Sequence, residues 1–195
     1  MIRLGVSFMC VAGVLVMDIV FVTGNRGKVE EARSILGERG ITLTQVECEY
    51  PEVQADELEV IAACGARWAA KRLGRSVVVD DSGIFIRALN GFPGPYSAYV
   101  QRTIGNQGIL KLMEGVEDRY AVVKSVIGFC EPGGEPLTFT GVLEGAVSDR
   151  ERGTHGFGFD PIFEVCGRTL GEMLPREKNL ISHRARALRK FADWL

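Results

Sequence analysis

The fold is decided by the stretch Thr23-Gly24-Asn25-Arg26-Gly27-Lys28, which joins two segments of different periodicity. Residues 18–22 before it form a short apolar run that is typical of a buried strand, whereas residues 29–36 after it keep helical spacing. A strand that turns through two glycines into a helix leaves unpaired backbone N–H groups in the turn, and the helix dipole favours an anion there. Thr23, Asn25 and Lys28 add a hydroxyl, an amide and an ammonium group, so the stretch predicts a phosphate-binding turn. The alternative is an ordinary strand–helix connection, because the spacing matches neither of the two common glycine-rich phosphate motifs.

Length and composition indicate one globular domain, or one domain with a small second lobe. The chain has 195 residues, of which 46% are hydrophobic and 25% are charged, and both values are ordinary for such a domain. A net charge of −2 at pH 7 gives no basic surface, so polymeric nucleic acid is not an expected partner. The five cysteines are odd in number and contain no Cys-x-x-Cys pair. This usage favours reduced thiols in a cytoplasmic protein over a disulfide framework or a zinc site.

Residues 1–16 precede this domain and need a separate interpretation. They are largely apolar with Arg3 near the start, but they lack an Ala-x-Ala cleavage site and run directly into the first predicted strand. They are also too short and too interrupted to span a bilayer. Because Met17 is a natural start, we expect residues 1–16 to be an upstream-start extension or a poorly packed tail, followed by a domain of residues 17–195. The alternative, a membrane-tethered protein anchored through residues 1–16, would be revealed by cell fractionation.

The order of predicted elements indicates a mixed α/β fold. After the first strand and helix, strands are predicted at residues 41–49, 76–79, 119–130, 137–143 and 162–165, and helices at residues 57–73, 105–114 and 178–195. The core face of the helix at 57–73 is predicted to hold Leu58, Ile61, Gly65, Trp68 and Arg72. The order is βαβαβ, then a hairpin, then a strand and a helix.

The segment Asp80-Asp81-Ser82-Gly83 follows a buried strand at the edge where α/β proteins usually bind ligands. Neighbours on a strand face opposite ways, so the two aspartates are not expected to serve one site. Ser82 and Gly83 predict a tight turn that ends the strand. Mg²⁺ is usually bound by one or two carboxylates together with phosphate oxygens, which makes Asp81 and Glu52 candidates. The alternative is that one aspartate caps a turn and Glu52 is a solvated acid.

The last predicted helix places a cation among apolar residues. Its stripe consists of Leu180, Arg184, Leu188, Phe191 and Leu195. A buried guanidinium requires a partner, and the alternative is an arginine that reaches water or pairs with an aspartate.

The segment Phe157-Gly158-Phe159-Asp160 allows two interpretations. Its aromatic rings are either part of the core or exposed for stacking beside a carboxylate that bonds a base edge.

Seen together, these motifs resemble the Ham1/ITPase family of inosine and xanthosine triphosphate pyrophosphatases. The resemblance extends from about Met17 to the end of the chain and depends on several motifs in a fixed order: Thr23-Gly24-Asn25-x-x-Lys28, Pro51-Glu52-x-Gln54, Asp80-Asp81-Ser82-Gly83, Phe92-Pro93-Gly94-Pro95-Tyr96-Ser97, Phe157-Gly158-Phe159-Asp160-Pro161, Glu177-Lys178-Asn179 and Ser182-His183-Arg184. It implies a mixed, twisted central sheet flanked by helices, with a nucleotide cleft between two lobes. It also implies a cytoplasmic homodimer that uses Mg²⁺ to hydrolyse ITP, dITP and XTP to the monophosphate and pyrophosphate.

The resemblance further assigns roles to individual residues. The triphosphate would lie on the turn of Thr23, Gly24, Asn25, Arg26, Gly27 and Lys28. Glu52 and Asp81 would ligate Mg²⁺, Asp81 would also orient or deprotonate the attacking water, and Ser82 would contact the substrate beside the metal. The base would lie against Phe157, Gly158 and Phe159, with Asp160 at its edge. Lys178, His183 and Arg184 would complete the pocket, the last two near the 6-oxo group.

The chain departs from the family pattern at two positions, Tyr99 and Gly65, where many members carry a basic residue in or near the same segment. One or two cationic contacts to the substrate are therefore either absent or supplied by Arg67, Arg102 or a partner subunit. Two other functions remain as alternatives. A Maf-like nucleotide pyrophosphatase is disfavoured because the Ser-x-Arg-Arg opening is missing, and a non-catalytic nucleotide sensor is disfavoured because Asp81 and Glu52 are present.

Overall fold

The computed structural model of the protein describes residues 7–11, 14–48, 51 and 53–195. The strands are β1 (Ser7–Val11), β2 (Val14–Val22), β3 (Ile41–Val46), β4 (Val77–Ile86), β5 (Tyr120–Cys130), β6 (Leu137–Val147), β7 (Phe163–Val165) and β8 (Arg168–Thr169). The helices are α1 (Arg26–Gly37), α2 (Leu58–Leu73), α3 (Ser97–Thr103), α4 (Gly105–Leu112), α5 (Pro175–Ile181) and α6 (His183–Trp194). The elements confirm the predicted mixed α/β class, whereas the division into two lobes stays a prediction.

One twisted sheet organises these elements. Its order is β1-β2-β4-β5-β6-β7-β8, and β3 also pairs with β2. The pairs of β2 with β3 and with β4 are parallel, and the other pairs are antiparallel. β2 pairs with β4 only at Val77 and Val78, so the β2-facing edge of β4 is not covered by β2 from Asp80 onwards.

The alternation of side chains along β2 divides the core into two layers. Ile19 and Phe21 face α1 and α6, whereas Val20 and Val22 face α2. Because both faces of β2 are covered, its sequence is a continuous apolar run instead of an alternating one. A further apolar cluster joins the second half of β4 to β5, β6 and the helices α3 and α4.

Strand β4 is longer than predicted. Asp80-Asp81-Ser82-Gly83 was expected to leave the strand in a tight turn, but β4 continues to Ile86. The prediction was wrong because β5 pairs with β4 along its whole length, from Val77 opposite Cys130 to Ile86 opposite Ala121. The two aspartates therefore lie within a strand and point to its two faces.

The final helix is also different from the prediction for residues 178–195. Ser182 has extended backbone geometry and separates α5 from α6, and its hydroxyl accepts a hydrogen bond from the Ala185 N–H. The N-cap preference of serine explains the break. Arg184 and Phe191 are buried as predicted, but Leu180 lies before the break and is 72% exposed.

Two smaller corrections concern the other helices. The buried face of α2 consists mainly of Ala62, Ala66 and Ala69, whereas Arg72, predicted on that face, is exposed. Small side chains let the helix approach the sheet closely, and this pattern outweighs the larger residues that guided the prediction. Helix α3 was not predicted, since it has only seven residues and follows a loop rich in glycine and proline.

The described part of the N-terminal segment is paired with the sheet. β1 lies antiparallel to the first half of β2, which begins at Val14, four residues earlier than predicted. Residues 1–6, 12 and 13 lie outside the described residues, so the interpretation of residues 1–16 stays a prediction.

Within the part of the chain that the structure describes, no helix combines the length and apolar character that a membrane crossing requires.

The contact between β6 and α6 gives a test of this packing. A Cβ atom at Gly141 would lie 2.0 Å from the His183 carbonyl oxygen and 2.5 Å from the Ala187 nitrogen. We expect Gly141→Ala to lower the free energy of unfolding by roughly 1–3 kcal/mol, because backbone atoms cannot move aside without shifting the helix. Gly37→Ala is the control, since a Cβ there meets nothing within 4 Å and alanine favours a helix. Equal urea midpoints for both variants would contradict this packing.

Candidate active site

A cavity of about 1090 Å³ opens beside the uncovered edge of β4. Its walls include the turn before α1, the segment before α2 with the start of that helix, the middle of β4, helix α3, and the loop of residues 157–160 with the start of α6. The cavity therefore lies at the point where parallel pairing with β2 ends and the neighbouring strand runs antiparallel. Ligands of α/β proteins usually bind at such a point in the sheet.

The turn before α1 is held by its own side chains. Asn25 is the N-cap, and its Oδ1 accepts a hydrogen bond from the Lys28 N–H at 3.2 Å. The Thr23 hydroxyl accepts from the Asn25 N–H at 3.2 Å. The Lys28 ammonium donates to the backbone carbonyl of Asp80 at 2.6 Å and so links the turn to β4. An anion in this cavity would meet both the start of a helix and a cation.

Behind the cavity lies a buried ionic network around Arg184. Its guanidinium donates to Asp80 Oδ2 at 2.5 Å, to Glu31 Oε2 at 2.7 Å and to the Ser82 hydroxyl at 3.1 Å. Lys178 donates to Glu31 Oε1 at 2.7 Å and to Asp160 Oδ2 at 2.5 Å. The network thus connects α1, β4, α5, α6 and the loop at residue 160.

The network fixes the protonation states of its members. Burial alone would raise the pKa of Asp80, but the charges of Arg184 and Lys28 lower it to about 2. Burial likewise opposes ionisation of Glu31, yet Arg184 and Lys178 lower its pKa. The pKa of Arg184 is raised because the attraction of Asp80 and Glu31 outweighs its burial. Both carboxylates are therefore ionised at neutral pH.

Phe157 is held on two sides by this arrangement. The Lys178 ammonium lies 4.8 Å and the Arg184 guanidinium carbon 5.2 Å from the centre of its ring. A Cβ atom at Gly27 would lie 2.5 Å from Phe157 Cδ1, so only glycine lets α1 pack against the ring. The Phe157 N–H donates to Asp160 Oδ2 at 2.7 Å. The ring lines the cavity in a fixed position.

Helix α3 forms another wall of the cavity and is anchored by side chains at its start and near its end. The Ser97 hydroxyl accepts from the Ile84 N–H at 2.9 Å and donates to the Gly94 carbonyl at 2.7 Å. Gln101 donates to the Gly158 carbonyl at 3.3 Å and so links α3 to the Phe157 loop.

Comparison with known proteins assigns this arrangement to a family. The model of the Ham1 family matches residues 19–194. The chain belongs to the Ham1 family. A dITP/XTP pyrophosphatase of Methanosarcina acetivorans is 59% identical over 176 residues, which cover 90% of this chain and 96% of the relative. One of Methanopyrus kandleri is 56% identical over 180 residues, covering 91% and 96%. The structure of a HAM1 protein from Coxiella burnetii matches with a TM-score of 0.80 and 33% identity, covering 91% of this chain and 97% of that one.

Most residues that the Ham1 resemblance singles out line the cavity. These are Thr23, Gly24, Asn25, Lys28, Asp81, Ser82, Phe157, Gly158, Phe159, Asp160, His183 and Arg184. Three others do not line it: Arg26 is exposed at the start of α1, Gly27 lies behind the Phe157 ring, and Lys178 is buried in the ionic network. Glu52 lies outside the described residues, although its neighbours Val53 and Gln54 line the cavity. The roles of these residues stay predictions.

Glu31, the acid that bridges Lys178 and Arg184, was not predicted from the sequence. A signal for it exists, since Glu31 lies four residues before Ile35 on the buried stripe of α1. A carboxylate on that stripe is what a buried arginine on another helix requires. Pairing of Arg184 with an aspartate was one of the alternatives given from the sequence, but Asp80 was not identified as that residue. Ser125 donates a hydrogen bond of 2.9 Å to the same carboxylate.

Three aspartates line the cavity and lie in different surroundings. Asp80 is bonded by Arg184 and Ser125, Asp160 is bonded by Lys178, and Asp81 lies on the other face of β4 from Asp80. Among residues 7–11, 14–48, 51 and 53–195, no cluster of three or more potential metal ligands occurs. Mg²⁺ fits this donor set, because it is usually held by one or two carboxylates together with substrate phosphates and water.

The buried network predicts a large stability effect at Glu31. We expect Glu31→Gln to lower the free energy of unfolding by roughly 3–5 kcal/mol, because the buried cations Lys178 and Arg184 would each lose one of their two carboxylate partners. Glu30→Gln is the matched control, since Glu30 is the adjacent residue and is exposed. Urea denaturation followed by circular dichroism measures both, and indistinguishable midpoints would show that Glu31 is not needed by the two cations.

The burial of His183 makes the free energy of unfolding depend on pH. Burial, reinforced by Arg184 and Lys178, lowers its pKa well below the ordinary 6.5, so the folded protein keeps it neutral while the unfolded chain protonates it. The resulting stability is present above pH 6.5 and is lost as the pH falls below it, at up to about 1.4 kcal/mol per pH unit. Between pH 7 and pH 5 we expect His183→Gln to lose about 2 kcal/mol less than the wild type.

The chain has a second histidine that serves as the control. His155 is exposed, so His155→Gln removes an imidazole that is not buried in the folded protein. Parallel stability curves for the wild type and His183→Gln would contradict the burial of a neutral imidazole.

Proposed function

We propose that this protein hydrolyses non-standard purine nucleoside triphosphates (ITP, dITP and XTP) to the nucleoside monophosphate and pyrophosphate. The observation that carries the proposal is the 59% identity, over 90% of the chain, to a relative named dITP/XTP pyrophosphatase. The cavity supports it with a helix start, a carboxylate and an aromatic ring on separate walls. Such walls suit the phosphates, the reacting centre and the base of one nucleotide.

The triphosphate binds on the turn before α1 in this proposal. Thr23, Asn25 and the backbone of Gly24 line the cavity there, and the N–H groups of the first helical turn are not all used by the N-cap. Lys28 adds a positive charge between this turn and β4. Negative charge that develops on the phosphates is stabilised by groups that are already in place.

Asp81 orients the attacking water and accepts its proton. Its neighbour Asp80 holds Arg184 on the opposite face of β4, so the strand fixes the position of Asp81 from behind. Asp81, together with Glu52, would hold Mg²⁺, and the bound ion supplies positive charge to the phosphate oxygens. Ser82 contacts the substrate beside this site, and its hydroxyl is oriented by Arg184.

The base stacks on Phe157, whose ring is fixed by Lys178, Arg184 and the close approach of Gly27. His183 and Arg184 contact the 6-oxo group. The Nδ1 atom of His183 is buried and has no hydrogen-bond partner among the described residues, so it can bond a ligand. Adenine carries an amino group at position 6, and a mismatched buried pair costs roughly 1–3 kcal/mol. Selectivity for 6-oxo purines follows from this cost.

We propose residues 17–195 as the catalytic unit, because the residues that line the cavity fall between positions 22 and 184. A cytoplasmic location agrees with the thiols of Cys64, Cys130 and Cys166, which form no disulfide with the described residues. A homodimer agrees with the exposed apolar side chains of Phe92, Tyr96 and Ile104 near α3. Cell fractionation tests the location, and sedimentation equilibrium tests the dimer.

Product analysis tests the proposed reaction. The protein is incubated with Mg²⁺ and with ITP, dITP, XTP, GTP, ATP or dTTP, and pyrophosphate and orthophosphate are measured separately. We expect pyrophosphate as the main product and faster turnover of ITP, dITP and XTP than of ATP. Orthophosphate as the main product, or equal rates with ATP and ITP, would refute the proposal.

Asp81→Asn tests the role of the cavity carboxylate. We expect it to lower kcat about 10²–10⁴-fold, because an amide neither accepts the proton of water nor carries charge. Asp149→Asn is the control, since the Asp149 side chain is 95% exposed and does not line the cavity. Circular dichroism establishes that both variants are folded, and near-normal turnover by Asp81→Asn would exclude its assigned role.

A further inference from the structure

One lysine and two arginines line the cavity, and they differ in how many hydrogen bonds and ion pairs they form with the protein. Among the described residues that line it, these are Lys28, Arg102 and Arg184. A nucleoside triphosphate carries several negative charges, and its binding requires cations whose charge and N–H groups are available. The bonding of each of the three cations therefore decides which one can bind the polyphosphate chain.

The guanidinium of Arg184 is already bonded to other residues of the protein. Its Nε, Nη1 and Nη2 atoms donate to Asp80, Glu31 and Ser82, and its side chain is 2% exposed. Two carboxylates thus compensate its single positive charge. Lys28 is partly occupied, since its ammonium donates to the Asp80 carbonyl and lies 4.0 Å from the Asp80 carboxylate.

Arg102 is different, because it forms no hydrogen bond or ion pair with the part of the chain that the structure describes. It is exposed, lines the cavity, and has its guanidinium carbon 5.6 Å from the centre of the Tyr99 ring. Tyr99 lies three residues earlier on α3 and lines the same cavity, so the ring restricts where the guanidinium can lie.

The backbone that carries Arg102 is fixed relative to the cavity. Its neighbour Gln101 bonds the Gly158 carbonyl, and Ser97 at the start of α3 bonds both Ile84 and Gly94. The backbone position of Arg102 is therefore fixed by the hydrogen bonds of its neighbours on α3, whereas its own guanidinium forms no hydrogen bond with the described residues. The other arginine considered for this role, Arg67, lies on α2, pairs with Glu135 and does not line the cavity.

We propose that Arg102 is a substrate-binding residue that contacts the polyphosphate chain from α3. This inference rests on the proposed function and names a further residue for it. A guanidinium presents several N–H donors in a planar fork that matches two phosphate oxygens at once, which an ammonium group cannot do. The substrate is then held between two cations on separate walls, Lys28 and Arg102.

Steady-state kinetics with ITP tests this contact. We expect Arg102→Gln to lower kcat/KM about tenfold to a hundredfold, mainly through KM, and to weaken the decrease of kcat/KM with added salt. Arg102→Lys should recover part of the loss, because it keeps the charge but not the fork. Arg67→Gln is the matched control and should behave as the wild type. Equal kinetics for Arg102→Gln and Arg67→Gln would overturn the inference.

Calorimetric titration separates this inference from the proposed function. Inorganic tripolyphosphate and inosine are titrated into the wild type, Arg102→Gln and Arg67→Gln. We expect Arg102→Gln to bind tripolyphosphate about tenfold or more weakly and inosine as the wild type does. Absent binding of tripolyphosphate by the wild type, or equal binding by all three proteins, would overturn the role of Arg102. If the wild type releases no pyrophosphate from any nucleotide but Arg102→Gln still binds tripolyphosphate weakly, the proposed function fails and the phosphate contact stands.

Discussion

The contact of the Arg184 guanidinium with Asp80 and Glu31 is the constraint on which the rest of the site depends. A buried arginine is tolerated only if its charge and its N–H groups are satisfied, and this requirement places α1, β4 and α6 at fixed distances from one another. Lys178 extends the constraint to the Phe157 loop through Asp160. The walls of the cavity are thereby held together by charges that bond to one another, and Asp80, Asp160 and Arg184 line the cavity as well as support it.

This arrangement separates support from recognition. Asp80, Glu31 and Lys178 are bonded to one another or to Arg184, and their charges are compensated within the protein. Asp81 and Arg102 also line the cavity, but they lie on the other face of β4 and on α3, outside this network. A site built in this way is preorganised, since its supporting contacts exist before a ligand binds.

The periodic parts of the fold could be predicted from the sequence, and the junctions could not. The apolar run of β2 and the helical spacing of α1 gave correct elements, because local pattern and burial agree there. The end of β4 was wrong because pairing with β5, a contact between distant segments, outweighs the turn preference of Ser82 and Gly83. Motifs located the turn, Asp81 and Phe157, but the partners of Arg184 are set by tertiary packing. Glu31 is 153 positions from Arg184, and no local pattern joins them.

The adjacency of Asp80 and Asp81 on β4 has a consequence for the sheet. The two residues are chemically identical, and only the alternation of the strand sends one to Arg184 and the other to the cavity. A shift of β4 by one residue would put one aspartate in the place of the other, while Val79 or Ser82 would take the remaining place and every side chain of the strand would change face. The register that gives each aspartate its role is held by pairing with β5 along the whole strand and by the hydrogen bond of the Ile84 N–H to Ser97. The different roles of two identical side chains are thus set by the backbone.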